Sequence, residues 1–475
     1  MSEIAESELV VVGAGPGGYA AAFLAADKGM KVTLIDGSER PGGTCLHVGC
    51  IPSKALLHTA KLITDAREGE VMGVHFPPPK IDIAGVRSYW MKVVDTLSKN
   101  LAELARRRKV EYLRARAKFV DSQTLELNNG SRRRFRHCIL ATGSTPSWPA
   151  ALRLDSPRVM DSTGALKLED VPRSLLVVGG GYIGLELGYV YAALGSKVTV
   201  VEMMDGLLPG VDRDLVKPLH GRLAKLFDKI YLSTRVLRLE DTGKGIKAIL
   251  EGPEVAEREP IFDRVLVAVG RRPASQGLGL EKTRVQVDEK GFVKVDEQRR
   301  TTDEHIYAIG DVAGEPMLAH KATHEGKVAV EAIAGEKVAY EPRCVPAVVF
   351  TDPEIAWCGL TETEAQRQKR EVKVARFPWA ASGRAMTLGR TEGLTKLLVD
   401  PATDVVLGVG IVGADAGELI GEGVLAVEMA ASARDLALSI HPHPTLTETL
   451  AEGAETVHGM STHLYRPRKE EKVAT

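Results

Sequence analysis

Short apolar runs alternate along the chain with glycine turns and amphipathic stretches, and one such arrangement occurs twice. VVVGAGPGGYAAAFLAADKGMKVTLID (residues 10–36) and LVVGGGYIGLELGYVYAALGSKVTVVE (residues 176–202) align without a gap at an offset of 166 residues. Each reads as buried strand, glycine turn, helix, second strand and carboxylate. Elsewhere the pattern predicts helices over residues 52 to about 68 and about 86 to 107, and strands within 113–127. Apolar strands end at Gly143, at Gly270 before Arg271–Arg272–Pro273, and at Asp311. From Pro342 onward the pattern changes to alternating strands, 395–399 among them, and two late helices, which reads as a separate α+β unit. The final ten residues, RPRKEEKVAT, are expected to fray.

The repeated segment has a specific physical reading. Gly13, Gly15 and Gly18, and again Gly179, Gly181 and Gly184, stand in GxGxxG spacing between strand and helix. The first glycine makes the tight turn, the second lets a pyrophosphate approach the backbone, and the third lets helix and strand pack closely. Asp36 and Glu202 each follow the first glycine by 23 residues, where a carboxylate accepts hydrogen bonds from an adenosine ribose. A lone GxGxxG is weak, but two copies in full context imply two bound dinucleotides. One flavin and one nicotinamide make the natural pair, because a flavin both accepts and donates hydride.

A length of 475 residues suggests about three domains. Lys plus Arg number 62 against 63 Asp plus Glu, and aromatics are 5%, which argues against nucleic-acid and membrane-surface partners. The uncharged stretch 9–26 touches transmembrane length, but four glycines and a proline interrupt it and its flank is acidic. The expectation is a cytoplasmic protein.

Of five cysteines, Cys138, Cys344 and Cys358 are scattered and read as small core residues. Cys45 and Cys50 are close, in GGTCLHVGCIPSKALL, with Pro52 in the first turn of a helix. A helix N-terminus favours thiolate over thiol, and Lys54 lies four residues after Cys50. A four-residue gap permits a small disulfide loop. The rival readings are zinc held by Cys45, His47, Cys50 and His58, which the spacing disfavours, and two unrelated thiols. No metal is expected. Near the far end, HPHPTLTE holds His441 and His443 before prolines. Thr445 and Glu448 fit a capping box for the next helix, and Glu448 equally suits a carboxylate that orients His443.

These residues resemble the disulfide-linked flavoprotein oxidoreductases, the class I pyridine nucleotide-disulfide family. The resemblance runs nearly the whole length through GAGPGG, GGTCLHVGCIPSKALL, ILATGS, VVGGGYIGLE, VAVGRRP, IYAIGD, MLAHKATHEG and HPHPTLTE. It is greatest to the subgroup that reoxidises dihydrolipoamide on the lipoyl domains of 2-oxo acid dehydrogenase complexes. The implied fold is α/β, with two Rossmann-like dinucleotide-binding domains and a C-terminal α+β dimerisation domain. Residues 1–148 and 271–342 would form the FAD-binding parts, 149–270 the NAD domain and 343–475 the interface. The implied roles are Cys45 as interchange thiol, Cys50 as the thiol against the flavin, and Lys54 with Glu186 as a pair beside it. Gly13, Gly15, Gly18, Asp36, Thr44, Ala117, Gly143, Asp311 and Ala319 would hold FAD. Gly179, Gly181, Gly184, Glu202, Val236, Ala268, Gly270 and Arg271 would line the NAD site. His443 would be the acid–base, supported by Glu448 and reaching the disulfide of the other subunit of a homodimer.

His47 stands where relatives often have Asn, and neither an N-terminal lipoyl domain nor a C-terminal cysteine pair is expected. Glu202 repels a 2′-phosphate, so NAD is expected over NADP. The alternative is an NADPH-dependent disulfide reductase resembling glutathione reductase. A non-enzymatic scaffold docking through the basic runs at 106–109 and 132–136 is the reading from another class.

Overall fold

The computed structural model describes residues 5–465, so the C-terminal segment expected to fray lies outside it. The first repeat forms the strand Ala5–Val12, the helix Pro16–Asp27 and the strand Val32–Asp36. Pro16 opens the helix, where its missing N–H is no loss. The two strands pair in parallel, with Leu9 opposite Val32 and Val12 opposite Ile35. They are central in a seven-stranded sheet, flanked by Glu111–Arg114 on one side and Arg132–Leu140 on the other. Ile306–Ala308, from far along the chain, adds in parallel to the end of Arg132–Leu140. The first sheet is therefore closed only after the second repeat has been completed.

The second repeat forms Ser174–Val178, the helix Tyr182–Leu194 and Lys197–Val201, in a five-stranded parallel sheet. Every residue of that helix from Gly184 onward is buried, which suits a segment apolar on all faces. It packs against the helix Cys50–Glu68, and Thr64 and Tyr189 share a 2.9 Å hydrogen bond across the contact. A two-stranded ribbon, Ser144–Pro146 with Arg271–Pro273, carries the chain between the two units. No helix among the described residues is long and apolar enough to cross a membrane.

The last part holds an antiparallel five-stranded sheet in the order Ala347–Val349, Glu354–Gly359, Val406–Gly413, Leu394–Val399 and Lys373–Pro378. The late helices number three in the described residues, where two were expected: Ala416–Glu428, Ala433–Leu438 and Glu448–Val457. The extra break is written in a capping box, Ser432 with Asp435, directly after Ala430 at φ +52°. That local signal is short and easily absorbed into one longer apolar period.

The C-terminal sheet is clamped to the start of the helix Arg213–Leu226, which follows the second repeat, by a buried charge cluster. The Lys396 ammonium, 1% exposed, lies 2.6 Å from Asp212, 2.7 Å from Asp214 and 3.3 Å from Glu362. Arg376 pairs with Asp214 and Glu362 as well. The three carboxylates are close enough to hold a cation, and Lys396 supplies it. Burial pushes Asp212 and Asp214 up, but hydrogen bonds from Lys396 and from neighbouring donors outweigh it and hold both below the usual carboxylate range. Their contribution to stability is therefore present above that range and is lost as pH falls through the depressed values. Lys396→Met is expected to cost about 3–5 kcal/mol, because it strands buried carboxylates. Thermal unfolding of the holoenzyme measures this, and the deficit at neutral pH should shrink in acid as the carboxylates protonate. An undiminished deficit in acid would assign the loss to packing alone.

Candidate active site

Cys45 lies in the short helix Gly43–Val48, and Cys50 is the first residue of the helix Cys50–Glu68. Gly49 makes the break between them, where an added Cβ would come 2.8 Å from the Thr44 carbonyl oxygen. Both thiols are free; Cys45 is half-buried and Cys50 exposed. A hydrogen bond from the Cys45 thiol brings the Cys50 pKa down to about 7 against the effect of burial, and Lys54 assists. The same hydrogen bond and burial push the Cys45 thiol up. At neutral pH the dithiol thus keeps its proton on Cys45 and favours negative charge on Cys50. His47 bonds instead to the Arg40 carbonyl at 3.1 Å. Among the described residues no metal-ligand grouping includes Cys45, His47, Cys50 or His58.

Lys54 pairs with the buried Glu186 at 2.9 Å, as the resemblance implied. A residue the sequence did not indicate completes this pair. The Lys54 ammonium lies 4.3 Å from the centre of the Phe350 ring, and the Phe350 N–H donates to Glu186 at 3.0 Å. Phe350 is contributed by the C-terminal unit, so the pair is gripped from three separate parts of the chain. Tyr19 and Tyr182 also stand near the redox cysteines. Burial raises both phenols; negative charge at the cysteines adds to it at Tyr19, whereas Arg271 works against it at Tyr182.

The two glycine turns have the shape their motif requires. A Cβ on Gly13 would sit 2.2 Å from the Ala141 carbonyl oxygen, and one on Gly18 only 1.8 Å from that of Gly13. Gly179 and Gly184 are confined in the same way, against Ala268 at 2.5 Å and Gly179 at 2.2 Å. The middle glycines differ: Gly15 meets only Gly43 at 3.9 Å, and Gly181 meets nothing within 4 Å. Those open positions leave the room that a phosphate needs to approach the backbone. The strand-end carboxylates behave alike. Asp36 accepts the Ala14 N–H at 2.7 Å and the Ser38 N–H at 2.8 Å. Glu202 accepts the Gly180 N–H at 2.6 Å and the Met204 N–H at 2.8 Å. Each carboxylate ties its glycine turn to the end of the neighbouring strand and keeps lone pairs for a ribose.

The other expected contacts fall around these turns. Gly143 has φ +70°, and beside it the buried Thr142 hydroxyl has no protein partner, as suits a group that meets a ligand. Asp311 accepts the Ser144 hydroxyl at 2.5 Å, and Arg271 donates to the same hydroxyl and to the Ser144 carbonyl, both at 2.7 Å. Arg271, expected in the NAD site, is thereby joined through Ser144 to Asp311. Gly270 has φ +119° at the turn before it. Ala319 opens the helix Ala319–Ile333. Thr44 is exposed beside Cys45, Ala117 is buried at the start of Ala117–Asp121, and Val236 is half-buried in Arg235–Asp241. The residues present fit two dinucleotides.

His443 is 74% exposed, and its Nδ1 lies 2.9 Å from Glu448. The two rival readings of Glu448 both hold in part. Its Oε2 accepts the Thr445 N–H at 2.7 Å, which is half of a capping box. The other half is missing. The helix begins at Glu448 itself, Thr447 occupies the N-cap, and the Thr445 hydroxyl donates to the Pro442 carbonyl instead. The box expected from sequence is thus corrected to a half-box, which leaves Oε1 free for the imidazole. His441 has an acid partner that sequence did not reveal, Glu422, 2.8 Å away.

This geometry joins two dinucleotide cradles to a dithiol, which defines a nucleotide-linked dithiol oxidoreductase. Residues 7–326 match the pyridine nucleotide-disulphide oxidoreductase family, and residues 345–454 match its dimerisation domain. The chain belongs to that family; it is an oxidoreductase that uses FAD and NAD, and it assembles as a homodimer. Among curated relatives, the dihydrolipoyl dehydrogenase of Haemophilus influenzae is 45% identical over 477 residues, covering 100% of this chain and 99% of its own. That of Thermus scotoductus is 45% identical, over 96% of this chain and 98% of its own. The crystal structure of LpdA from Mycobacterium tuberculosis superposes with a TM-score of 0.87 at 27% identity, over 95% of this chain and 99% of that one.

Proposed function

We propose that this enzyme reoxidises dihydrolipoyl groups, carried on the lipoyl domains of 2-oxo acid dehydrogenase complexes, and passes the electrons to NAD⁺. The observation that carries this reading is the position of the Cys45–Cys50 dithiol: its short helix meets the first glycine turn where Gly43 approaches Gly15, and Lys54 reaches Glu186 on the helix that follows the second turn. The naming of full-length relatives as dihydrolipoyl dehydrogenases supports the substrate. A cytoplasmic setting and the domain limits given above belong to the same reading.

In the first step the partner subunit's His443 takes a proton from one dihydrolipoyl thiol. The thiolate attacks the Cys45 sulfur, the Cys45–Cys50 bond breaks, and Cys50 departs as thiolate. Its low pKa makes it the better leaving group, which fixes the direction of attack. The second lipoyl thiol releases its proton to solvent and attacks the lipoyl sulfur of the mixed disulfide, the lipoyl disulfide closes, and Cys45 leaves and takes up the proton held by the imidazolium. Lys54, held by Glu186 and Phe350, keeps positive charge beside the Cys50 thiolate. FAD would be held by the turn at Gly13–Gly18, Asp36 and Asp311, and would supply two-electron carrier chemistry between the dithiol and a nicotinamide. The turn at Gly179–Gly184, with Glu202 and Arg271, holds that nicotinamide dinucleotide.

Glu202 also sets the choice of nucleotide. Wild-type enzyme is expected to form NADH from dihydrolipoamide far faster than NADPH. Glu202→Ser removes a charged acceptor for the ribose, worth about 1.5–3 kcal/mol, and lifts the repulsion of a 2′-phosphate. The ratio of kcat/KM for NAD⁺ over NADP⁺ should fall by at least about tenfold. Preference of the wild type for NADPH with glutathione disulfide would turn the reading to the glutathione reductase-like alternative.

A further inference from the structure

The cysteines read from sequence as scattered core residues include a second pair. Cys358 lies in the strand Glu354–Gly359, whose ladder with Ala347–Val349 sets Ala347 opposite Trp357 and Val348 opposite Ala356. Continuing that register puts Pro346 opposite Cys358, and Cys344 two residues further on the same side, as its diagonal neighbour. Cys344 precedes the paired residues, so its backbone is released from ladder spacing; its N–H donates to Glu428 at 3.0 Å. Both side chains pack on one apolar cluster with Ile420 and Val427. The two thiols stand close enough that each shifts the other's ionisation.

The pair has the same asymmetry as the redox dithiol. Cys358 is 1% exposed, and its neighbour Cys344 together with burial pushes its thiol up. Cys344 is half-buried, and its neighbour Cys358 lowers its thiol against burial and the nearby Glu428 charge. Metal binding does not account for the arrangement: the only grouping of three potential ligands among the described residues is the Asp212, Asp214 and Glu362 cluster.

We propose that Cys344 and Cys358 form a second thiol–disulfide couple, oxidised by small hydroperoxides. The Cys344 thiolate attacks the terminal peroxide oxygen, the O–O bond breaks, and the alkoxide leaves and takes up the thiol proton as an alcohol, or as water from hydrogen peroxide. This leaves a sulfenic acid on Cys344. The Cys358 thiol attacks that sulfur, its proton leaves with the hydroxide as water, and the S–S bond forms. The dithiol loses two electrons and the peroxide gains them. The bond would staple the approach to the strand Ala347–Val349, directly before Phe350, which grips Lys54 and Glu186.

The test uses holoenzyme with Cys45 and Cys50 already joined, so that about three of the five cysteines titrate as free thiols after denaturation. Brief hydrogen peroxide, stopped with catalase, should lower the count to about one, and peptide mapping should show Cys344 linked to Cys358 until dithiothreitol is added. Cys344→Ser, at a half-exposed position, should hold its two remaining thiols through the same treatment. Cys358→Val, which preserves apolar bulk, should leave Cys344 as a sulfenic acid that dimedone traps. Three thiols surviving a treatment that oxidises free glutathione in the same tube would overturn the proposal, as would a Cys344 bond to any other cysteine. Neither readout uses catalytic turnover, so failure here leaves the dihydrolipoyl reading untouched.

Discussion

Cys45→Ser and Cys50→Ser should each abolish NADH formation from dihydrolipoamide, by at least about three orders of magnitude, since the disulfide is the covalent route and nothing replaces it. The flavin should stay bound in both. Its retention is expected to rest on the Gly13–Gly18 turn, Asp36, Gly143 and Asp311 rather than on either sulfur, although Cys50 is expected to lie against the ring. The two variants should differ in what remains. Cys45→Ser keeps Lys54 beside Cys50 but loses the thiol that lowers the Cys50 pKa most, so the remaining thiol should titrate above about 7. Cys50→Ser leaves Cys45 half-buried without its partner. Alkylation rate against pH measures this directly. Normal turnover in either single variant would remove the dithiol from the reaction.

The second large effect belongs to the histidine. His443→Gln should lower turnover by about 10²–10⁴-fold, the usual worth of general acid–base help. Glu448→Gln should lose at least about tenfold while keeping its thermal midpoint. The geometry explains the asymmetry between fold and chemistry. A glutamine keeps one oxygen, which can still accept the Thr445 N–H, as Oε2 does now. Its amide nitrogen then faces His443 Nδ1 where Oε1 stood. That nitrogen donates, so Nδ1 must accept, and the ring proton moves to Nε2, the nitrogen needed as base. His443 is exposed on its own chain and no histidine influences the Cys45 thiol there, as expected if it serves the other subunit. A heterodimer of His443→Gln and Cys45→Ser protomers should therefore recover activity absent from both parents. A verified heterodimer without recovery would contradict the shared site.

The parts of this site legible in sequence are those that local backbone geometry dictates. Gly13 and Gly179 are readable because their turns leave no room for a Cβ, and Cys50 because Pro52 announces a helix start. Lys54 with Glu186, and His443 with Glu448, were placed together by resemblance, and the structure shows each pair in contact. Contacts set by sheet order left no local trace. Phe350 reaches Glu186 across 164 residues, and Lys396 reaches Asp212 across 184. Cys344 and Cys358 come onto one apolar cluster only through the pairing of the strands that follow Cys344 and contain Cys358. Thr445 misled for the opposite reason: its spacing to Glu448 matched a cap, but the helix starts at Glu448 and leaves the carboxylate to the histidine.

Anaerobic titration of the oxidised holoenzyme with dihydrolipoamide decides whether the dithiol carries electrons from the lipoyl group to NAD⁺. One equivalent per active site should change the visible flavin absorption and yield two new thiols, at Cys45 and Cys50, and NAD⁺ should restore the starting spectrum with formation of NADH. A flavin spectrum unmoved by dihydrolipoamide, yet bleached by NADPH and restored by another disulfide, would contradict the assignment.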